Sequence, residues 1–207
     1  MNHVNLPYHN PSATVSTLKQ YYALGPTTME VVFDNGFSEP GLVALDLSRF
    51  PRLQSLEVGN DAFFLVSELN LVGLNELETI VVGKRSFKAV SGDHPTSSVP
   101  GRQLQLKDCP KLKVLNLTDN FISVGNLVPL FDALAEGACP LLSEIEFGHT
   151  GISEEDLAAF TRFMLTPNAE NVSRVNFSNN PQITGALPAF FKALQGSPCG
   201  SIKTLLM

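Results

Sequence analysis

Cysteine and histidine are among the residue types of this 207-residue chain that could hold a metal ion, form a disulfide or act in acid–base catalysis. The three cysteines, Cys109, Cys139 and Cys199, are separated by 30 and 60 residues. An odd number of widely spaced cysteines is a poor disulfide framework, and zinc sites usually need closely paired ligands such as C-x2-C. We therefore expect no metal site and no disulfide, and we predict that the cysteines are buried as small apolar side chains.

The four histidines give little support to a catalytic site. His3 and His9 lie near the start of the chain, and His94 lies in the Pro-, Gly- and Ser-rich segment SGDHPTSSVPG. His149 follows an apolar run whose residues are better explained by a structural repeat. The sequence contains no G-x-S-x-G, P-loop, H-E-x-x-H or G-x-G-x-x-G motif. We therefore predict that the chain is not an enzyme and that it binds no cofactor.

The cysteine spacing instead indicates an internal repeat, because each cysteine comes three residues before an apolar run. Such runs begin at Leu53, Leu77, Leu112, Leu142, Val172 and Ile202, the last four at 30-residue steps. Each run follows the pattern L-x-x-L-x-L-x-x-N with substitutions, and its second and third apolar positions alternate as in a strand buried on one face. The ninth position, which would bond the backbone of the adjacent turn, holds Asp61, Arg85, Asn120, Thr150 and Asn180.

The segments between the runs differ along the chain. In the C-terminal half, apolar residues at helical spacing predict helices around 127–134, 157–164 and 187–194, and Ser153 with Asp156 resembles a capping box. In the N-terminal half, LVALDLS, VSELNLV and QLQLKD predict short outer strands. Residues 1–41 are predicted to form an N-terminal cap or a degenerate first repeat, with a helix near Thr14–Tyr22 and a strand in TMEVVFD. The repeat domain is predicted to span 42–207, with a loop insertion at about 88–103.

The runs LKVLNLTDNFI, LSEIEFGHTGI and VSRVNFSNNPQI resemble those of leucine-rich repeat proteins. The 30-residue units resemble the ribonuclease-inhibitor-like subclass, and the shorter units, such as GLNELETIVVGKRSF, resemble the bacterial-surface type. The resemblance implies an α/β fold, namely a leucine-rich repeat solenoid curved like a horseshoe. In that fold a parallel sheet lines the concave face. Helices cover the convex face of the C-terminal half, and short outer strands take their place in the N-terminal half.

The resemblance also implies that proteins bind on the concave sheet. On each predicted strand, the residues between the inward positions face that side. We expect the following ten to contact a protein partner of unknown identity: Ser55, Glu57, Thr79, Val81, Val114, Asn116, Glu144, Glu146, Arg174 and Asn176. The predicted function is a non-catalytic protein–protein interaction module. Two alternatives stay open, a regulator of an enzyme such as a small GTPase and a fragment of a cell-surface adhesion protein or receptor.

Composition narrows the classes of partner and setting. The formal net charge is -6, with 14 basic against 20 acidic residues, which argues against a nucleic-acid-binding protein. No apolar run approaches the roughly 20 residues of a membrane-spanning helix, and the first residues lack a signal-peptide pattern. We therefore expect a cytoplasmic protein without a membrane span. Because the repeat pattern stops within a strand at Met207, we also expect further repeats beyond it or end-to-end self-association.

Overall fold

The computed structural model describes residues 11–66, 68–86, 103–120, 127–195 and 202–207. Its strands are β1 (Ser12–Val15), β2 (Glu30–Phe33), β3 (Ala44–Asp46), β4 (Ser55–Val58), β5 (Glu68–Val72), β6 (Thr79–Val82), β7 (Gln103–Lys107), β8 (Val114–Asn116), β9 (Glu144–Glu146), β10 (Arg174–Asn176) and β11 (Thr204–Leu206). Its α-helices are α1 (Leu18–Ala23), α2 (Val128–Ala135), α3 (Glu154–Met164) and α4 (Leu187–Leu194). Short 3-10 helices span Pro167–Ala169 and Pro181–Ala186.

Two parallel sheets organise the described chain. The large sheet has eight strands in the order β1-β2-β4-β6-β8-β9-β10-β11, and the small sheet has three in the order β3-β5-β7. All the neighbouring strands described in both sheets are parallel. The α/β prediction is therefore confirmed, as are the strands predicted in LVALDLS, VSELNLV and QLQLKD. In each sheet, the spatial order of the strands follows their order along the chain.

The alternation of side chains along each strand decides which side of the large sheet is buried. The predicted inward residues Leu56, Leu115 and Val175 are fully buried, and the residues between them lie on the other side. Burying each such side chain contributes about 1.5–3 kcal/mol to folding. The pattern weakens just after β11, where Met207, at the third apolar position of the last run, is 37% exposed.

Aromatic side chains join the helices to the buried side of the large sheet. The Phe131 ring of α2 lies 5.8 Å from Phe147, next to β9, and the Phe160 ring of α3 lies 4.7 Å from Phe177, next to β10. Phe131 and Phe160 are 5.2 Å apart, which links the two helices to each other. Each pair of rings contributes about 0.5–1.5 kcal/mol beyond its buried area. The helices therefore cover the core and leave the opposite side of the sheet open.

The start of α3 is capped as predicted, whereas α4 buries only one of its two adjacent phenylalanines. The Ser153 side chain accepts a hydrogen bond from the Asp156 N–H at 3.2 Å, and Asp156 accepts one from the Ser153 N–H at 3.0 Å. This reciprocal pair confirms the predicted capping box at the start of α3. In α4, however, Phe190 is buried whereas the adjacent Phe191 is 43% exposed, so only one of these two apolar side chains lies in the core.

The prediction for the N-terminal segment is wrong about where its helix begins. Thr14 lies in strand β1 rather than in a helix, and α1 begins only at Leu18, with Thr17 as its N-cap. The predicted strand in TMEVVFD is confirmed as β2, in which Val31 occupies the position equivalent to Leu56. The repeat step from Val31 to Leu56 is 25 residues, one residue longer than the 24-residue step from Leu56 to Ile80.

The turn after each strand differs between the two kinds of repeat. Asn120, Thr150 and Asn180 are buried, as predicted for the ninth position. Upstream, Asp61 and Arg85 instead adopt positive φ angles of 56° and 57°. In those turns the buried position is occupied by the following residue, which is Ala62 after Asp61 and Ser86 after Arg85.

The upstream turns, which are longer by one residue, begin with Gly59 after β4 and Gly83 after β6. A Cβ on Gly83 would lie 2.6 Å from the Gly59 carbonyl carbon, so a side chain there would clash with the preceding turn. The Ser86 Oγ performs part of the role of the missing Asn. It donates to the Gly59 carbonyl at 2.7 Å and accepts from the Ala62 N–H at 3.1 Å.

The cysteine prediction can be checked for two of the three residues. Cys109 and Cys139 are buried, and burial raises the pKa of both thiols. The Cys109 Sγ lies 3.3 Å from the Leu71 carbonyl oxygen, to which the thiol donates. Cys199 lies outside the described residues, as do His3, His9, His94 and all of the predicted insertion except Gln103.

Candidate functional site

The open side of the large sheet carries two rows of side chains, which we call the sheet face. The first row contains Ser12, Glu30, Ser55, Thr79, Val114, Glu144, Arg174 and Thr204, and the second contains Thr14, Val32, Glu57, Val81, Asn116, Glu146, Asn176 and Leu206. Members of a row are in register on adjacent strands. All ten predicted binding residues lie in these rows, on the five adjacent strands β4, β6, β8, β9 and β10.

One end of the sheet face lies beyond the ten predicted residues. Strands β1 and β2 add Ser12, Thr14, Glu30 and Val32 to the two rows. The alternation in TMEVVFD could have identified the two β2 residues if the one-residue longer step had been allowed. Nothing in the repeat pattern marked β1, because its segment SATV lacks the apolar triplet of the other runs.

A hydrogen-bonded network occupies the β9–β10 part of the sheet face. The Arg174 Nε donates to Glu146 Oε1, and the Asn176 Nδ2 donates to Glu146 Oε2 at 2.8 Å. Ser178 in turn donates its N–H and Oγ to the Asn176 Oδ1, at 3.0 and 2.7 Å. Glu146 is only 9% exposed. The structure thus brings three of the predicted residues together, but both oxygens of this carboxylate already accept hydrogen bonds within the chain.

The hydrogen bond to Glu146 and the attraction of that carboxylate raise the pKa of the Arg174 guanidinium. Arg174 therefore stays charged at physiological pH. The network holds these side chains in one arrangement, and a polar surface held in this way would lose little conformational entropy if a ligand bound to it.

The β4–β8 part of the sheet face is less occupied by internal contacts. Glu57 is exposed, and Ser55, Thr79, Val81 and Val114 are half-buried. Val81 and Val114 lie on adjacent strands, in adjacent rows. This part of the sheet face combines accessible aliphatic side chains with an accessible carboxylate.

Charged side chains border the sheet face in the turns that follow its strands. The Asp119 carboxylate lies 2.9 Å from His149 Nδ1 and 3.0 Å from Lys84 Nζ. The hydrogen bonds from His149 and then from Lys84 lower the pKa of Asp119 below its ordinary value. Next to them, Arg85 forms a two-point ion pair with Asp61.

At the opposite border, the lysines are also paired. Lys113 Nζ lies 2.8 Å from Glu78 Oε2, and Lys111 Nζ lies 2.7 Å from Glu76 Oε2. The bond from Lys113 lowers the pKa of Glu78. The cations at both borders therefore neutralise border carboxylates rather than those of the sheet face.

A cavity of about 760 Å³ lies beside the turn after β10. Its wall includes Phe177, Ile183, Leu187 and Met207, with His149 at one side. Phe177 and Ile183 belong to the buried core, whereas the polar lining residues Asn179, Gln182 and Thr184 are exposed. Within the described ranges, no three His, Cys, Asp or Glu side chains are grouped as metal ligands.

None of the helices in the described part of the chain has the length and apolar character needed to cross a bilayer. Comparison of the chain with protein-family models, with curated proteins and with solved structures found no significant match.

Proposed function

We propose that the chain is a leucine-rich repeat solenoid and that it acts, without catalysis, by binding a protein partner on the sheet face. The observation that carries the proposal is the placement of all ten predicted residues in two continuous rows on five adjacent strands. A surface of this kind is wide enough for a protein. The seven spacings between its eight strands, at about 4.8 Å each, give a width of roughly 34 Å.

The solenoid part of the proposal is supported by the way each turn bonds to the next. The Asp61 N–H donates to the Lys84 carbonyl at 2.8 Å, and the Asp119 N–H donates to the Gly148 carbonyl at 2.9 Å. The Asn180 side chain links its turn to the preceding one through the Thr150 N–H. Because these contacts join only consecutive units, they are those expected of a stack of repeats.

The binding part of the proposal is supported by what lies on the sheet face. Accessible valines provide apolar contact, and the fixed Glu146–Arg174 pair provides directional polar contact. Interfaces between proteins combine such an apolar centre with polar side chains around it. The helices pack on the other side of the sheet, so the described chain leaves this side accessible.

The test is affinity capture by the whole protein, compared with two double variants. Val114→Asp with Glu144→Arg alters the sheet face, whereas Val72→Asp with Glu68→Arg makes the same changes on the small sheet. We expect a captured partner to be lost with the first variant and retained with the second. Equal capture by both variants, with unchanged circular dichroism, would contradict the proposal.

A further inference from the structure

The carboxylates of the sheet face differ in whether a cationic side chain of the same chain is paired with them. The two rows hold four carboxylates, those of Glu30, Glu57, Glu144 and Glu146, and one guanidinium, that of Arg174. Arg174 and Asn176 engage Glu146. Within the described ranges, no cationic side chain forms an ion pair with Glu30, Glu57 or Glu144, although Arg174, in register with Glu144 on β10, attracts the Glu144 carboxylate from a longer distance. The sheet face therefore carries a net negative charge, as does the whole chain, whose formal net charge is -6.

Glu57 lies between two aliphatic side chains. Val32 is in register with it on β2, and Val81 is in register with it on β6. Val114 lies on the next strand, and Glu144 is in register with Val114 on β9. The two valines of β6 and β8 are thus flanked by a carboxylate on each side, along a line that crosses the strands.

Covering this arrangement has a different cost for different partners. A carboxylate that loses water without gaining an opposite charge is destabilised, and two like charges brought together repel. A partner that places an ammonium or guanidinium group over each carboxylate avoids the repulsion and offsets the loss of water by attraction, and its aliphatic side chain can cover the valines.

From this we infer that the partner contacts the β4–β9 part of the sheet face with a cationic peptide segment, in which an aliphatic residue stands between two basic ones. The inference rests on the proposed function, because it concerns the partner of the same surface. Three strand spacings and one step between rows separate Glu57 from Glu144, which amounts to about 16 Å. In an extended segment, alternate side chains are about 6.8 Å apart, so basic residues four positions apart span about 14 Å. The segment therefore has the form basic-x-aliphatic-x-basic, and the long basic side chains cover the remaining distance.

The experiment uses a displayed library of random twelve-residue peptides, selected on the whole wild-type protein. Selected peptides are then sorted by their binding to Thr79→Trp, an uncharged change that covers the valines of β6 and β8. Peptides that lose binding to this variant are binders of the sheet face. For these we expect the basic-x-aliphatic-x-basic form, and affinities that fall at least fivefold when salt is raised from about 0.05 M to about 0.3 M, because ion pairs across the contact are screened.

Two isosteric variants complete the test. Glu57→Gln removes the charge between Val32 and Val81 without changing its shape, and we expect it to weaken these peptides at least fivefold. Glu68→Gln is the matched control, because Glu68 is also an exposed strand residue but lies on the small sheet. We expect it to change binding less than twofold.

The outcomes separate the inference from the proposed function. If binders of the sheet face are neutral or acidic, or keep their affinity for Glu57→Gln, the inference is overturned while the proposed function stands. If no selected peptide is sensitive to Thr79→Trp, both are overturned.

Discussion

The Asn180 carboxamide bonds across to the preceding turn at Thr150, where its Oδ1 accepts the Thr150 backbone N–H at 3.0 Å. The same oxygen accepts the N–H groups of Gly151 at 2.8 Å and Ile152 at 3.2 Å. Its Nδ2 donates to the carbonyls of Phe147 and Phe177, at 2.8 and 2.9 Å. One side chain thus provides partners for backbone groups in two consecutive turns, which a buried bend would otherwise leave unsatisfied.

The first prediction concerns this side chain. Asn180→Ala removes partners from several buried backbone groups, each of which costs about 1–3 kcal/mol when left unsatisfied. We expect the free energy of unfolding in urea to fall by about 3 kcal/mol. The control is the neighbouring Asn179→Gly, since Asn179 is exposed and its φ of 59° suits glycine. A loss no larger than that of the control would contradict the role assigned to Asn180.

The second prediction concerns the start of α3. Asp156 is 1% exposed, and besides capping its own helix it accepts the Leu127 N–H of the preceding unit at 3.1 Å. Ser153→Ala removes one cap and should cost about 1 kcal/mol. Asp156→Ala also leaves the Leu127 N–H without this acceptor, so we expect it to cost about 2–3 kcal/mol in the same urea experiment. Equal losses for the two variants would show that the bond to Leu127 contributes nothing.

The third prediction uses two adjacent phenylalanines as a matched pair. Phe190 is 2% exposed and its ring lies 6.1 Å from that of Phe160, whereas Phe191 is 43% exposed. Phe190→Ala should lower the free energy of unfolding by about 3–5 kcal/mol, as large-to-small core substitutions do. Phe191→Ala should cost less than about 1 kcal/mol. The reverse order would mean that α4 presents its other face to the core.

The fourth prediction concerns the buried thiols. In a Cys199→Ser background, Cys109 and Cys139 should react slowly with a thiol reagent in the native protein at pH 8, and at once in denaturant. Because burial raises both pKa values above the ordinary 9.0, the unfolded chain loses these protons first as pH rises. The contribution of these buried, neutral thiols to the free energy of unfolding is therefore fully present below about pH 9 and decreases above that pH. Rapid native labelling would contradict the burial of the two cysteines.

The sequence predicted the parts of the fold that depend on local alternation. The strand around Leu56, the small-sheet strand around Leu69 and the Ser153–Asp156 cap all follow from spacing within a few residues. It did not predict the extra residue in the upstream turns, because the shift that replaces Arg85 by Ser86 depends on close contact with the preceding turn at Gly59.

In the candidate site, too, only the features that depend on local alternation could be predicted. Alternation placed Val81, Val114 and the other eight residues on one side of the sheet. It could not show that Glu146 is held by Arg174, because the two are 28 residues apart and meet only through the strand register. Whether a carboxylate on such a face is paired or accessible thus depends on its neighbours across the strands.

The measurement that tests the proposed function most directly is a calorimetric titration of the captured partner into three forms of the protein. These are the wild type, Val114→Asp with Glu144→Arg on the sheet face, and Val72→Asp with Glu68→Arg on the small sheet. Binding on the sheet face predicts a dissociation constant raised at least tenfold by the first double variant and less than twofold by the second. Equal dissociation constants for all three folded forms would contradict it.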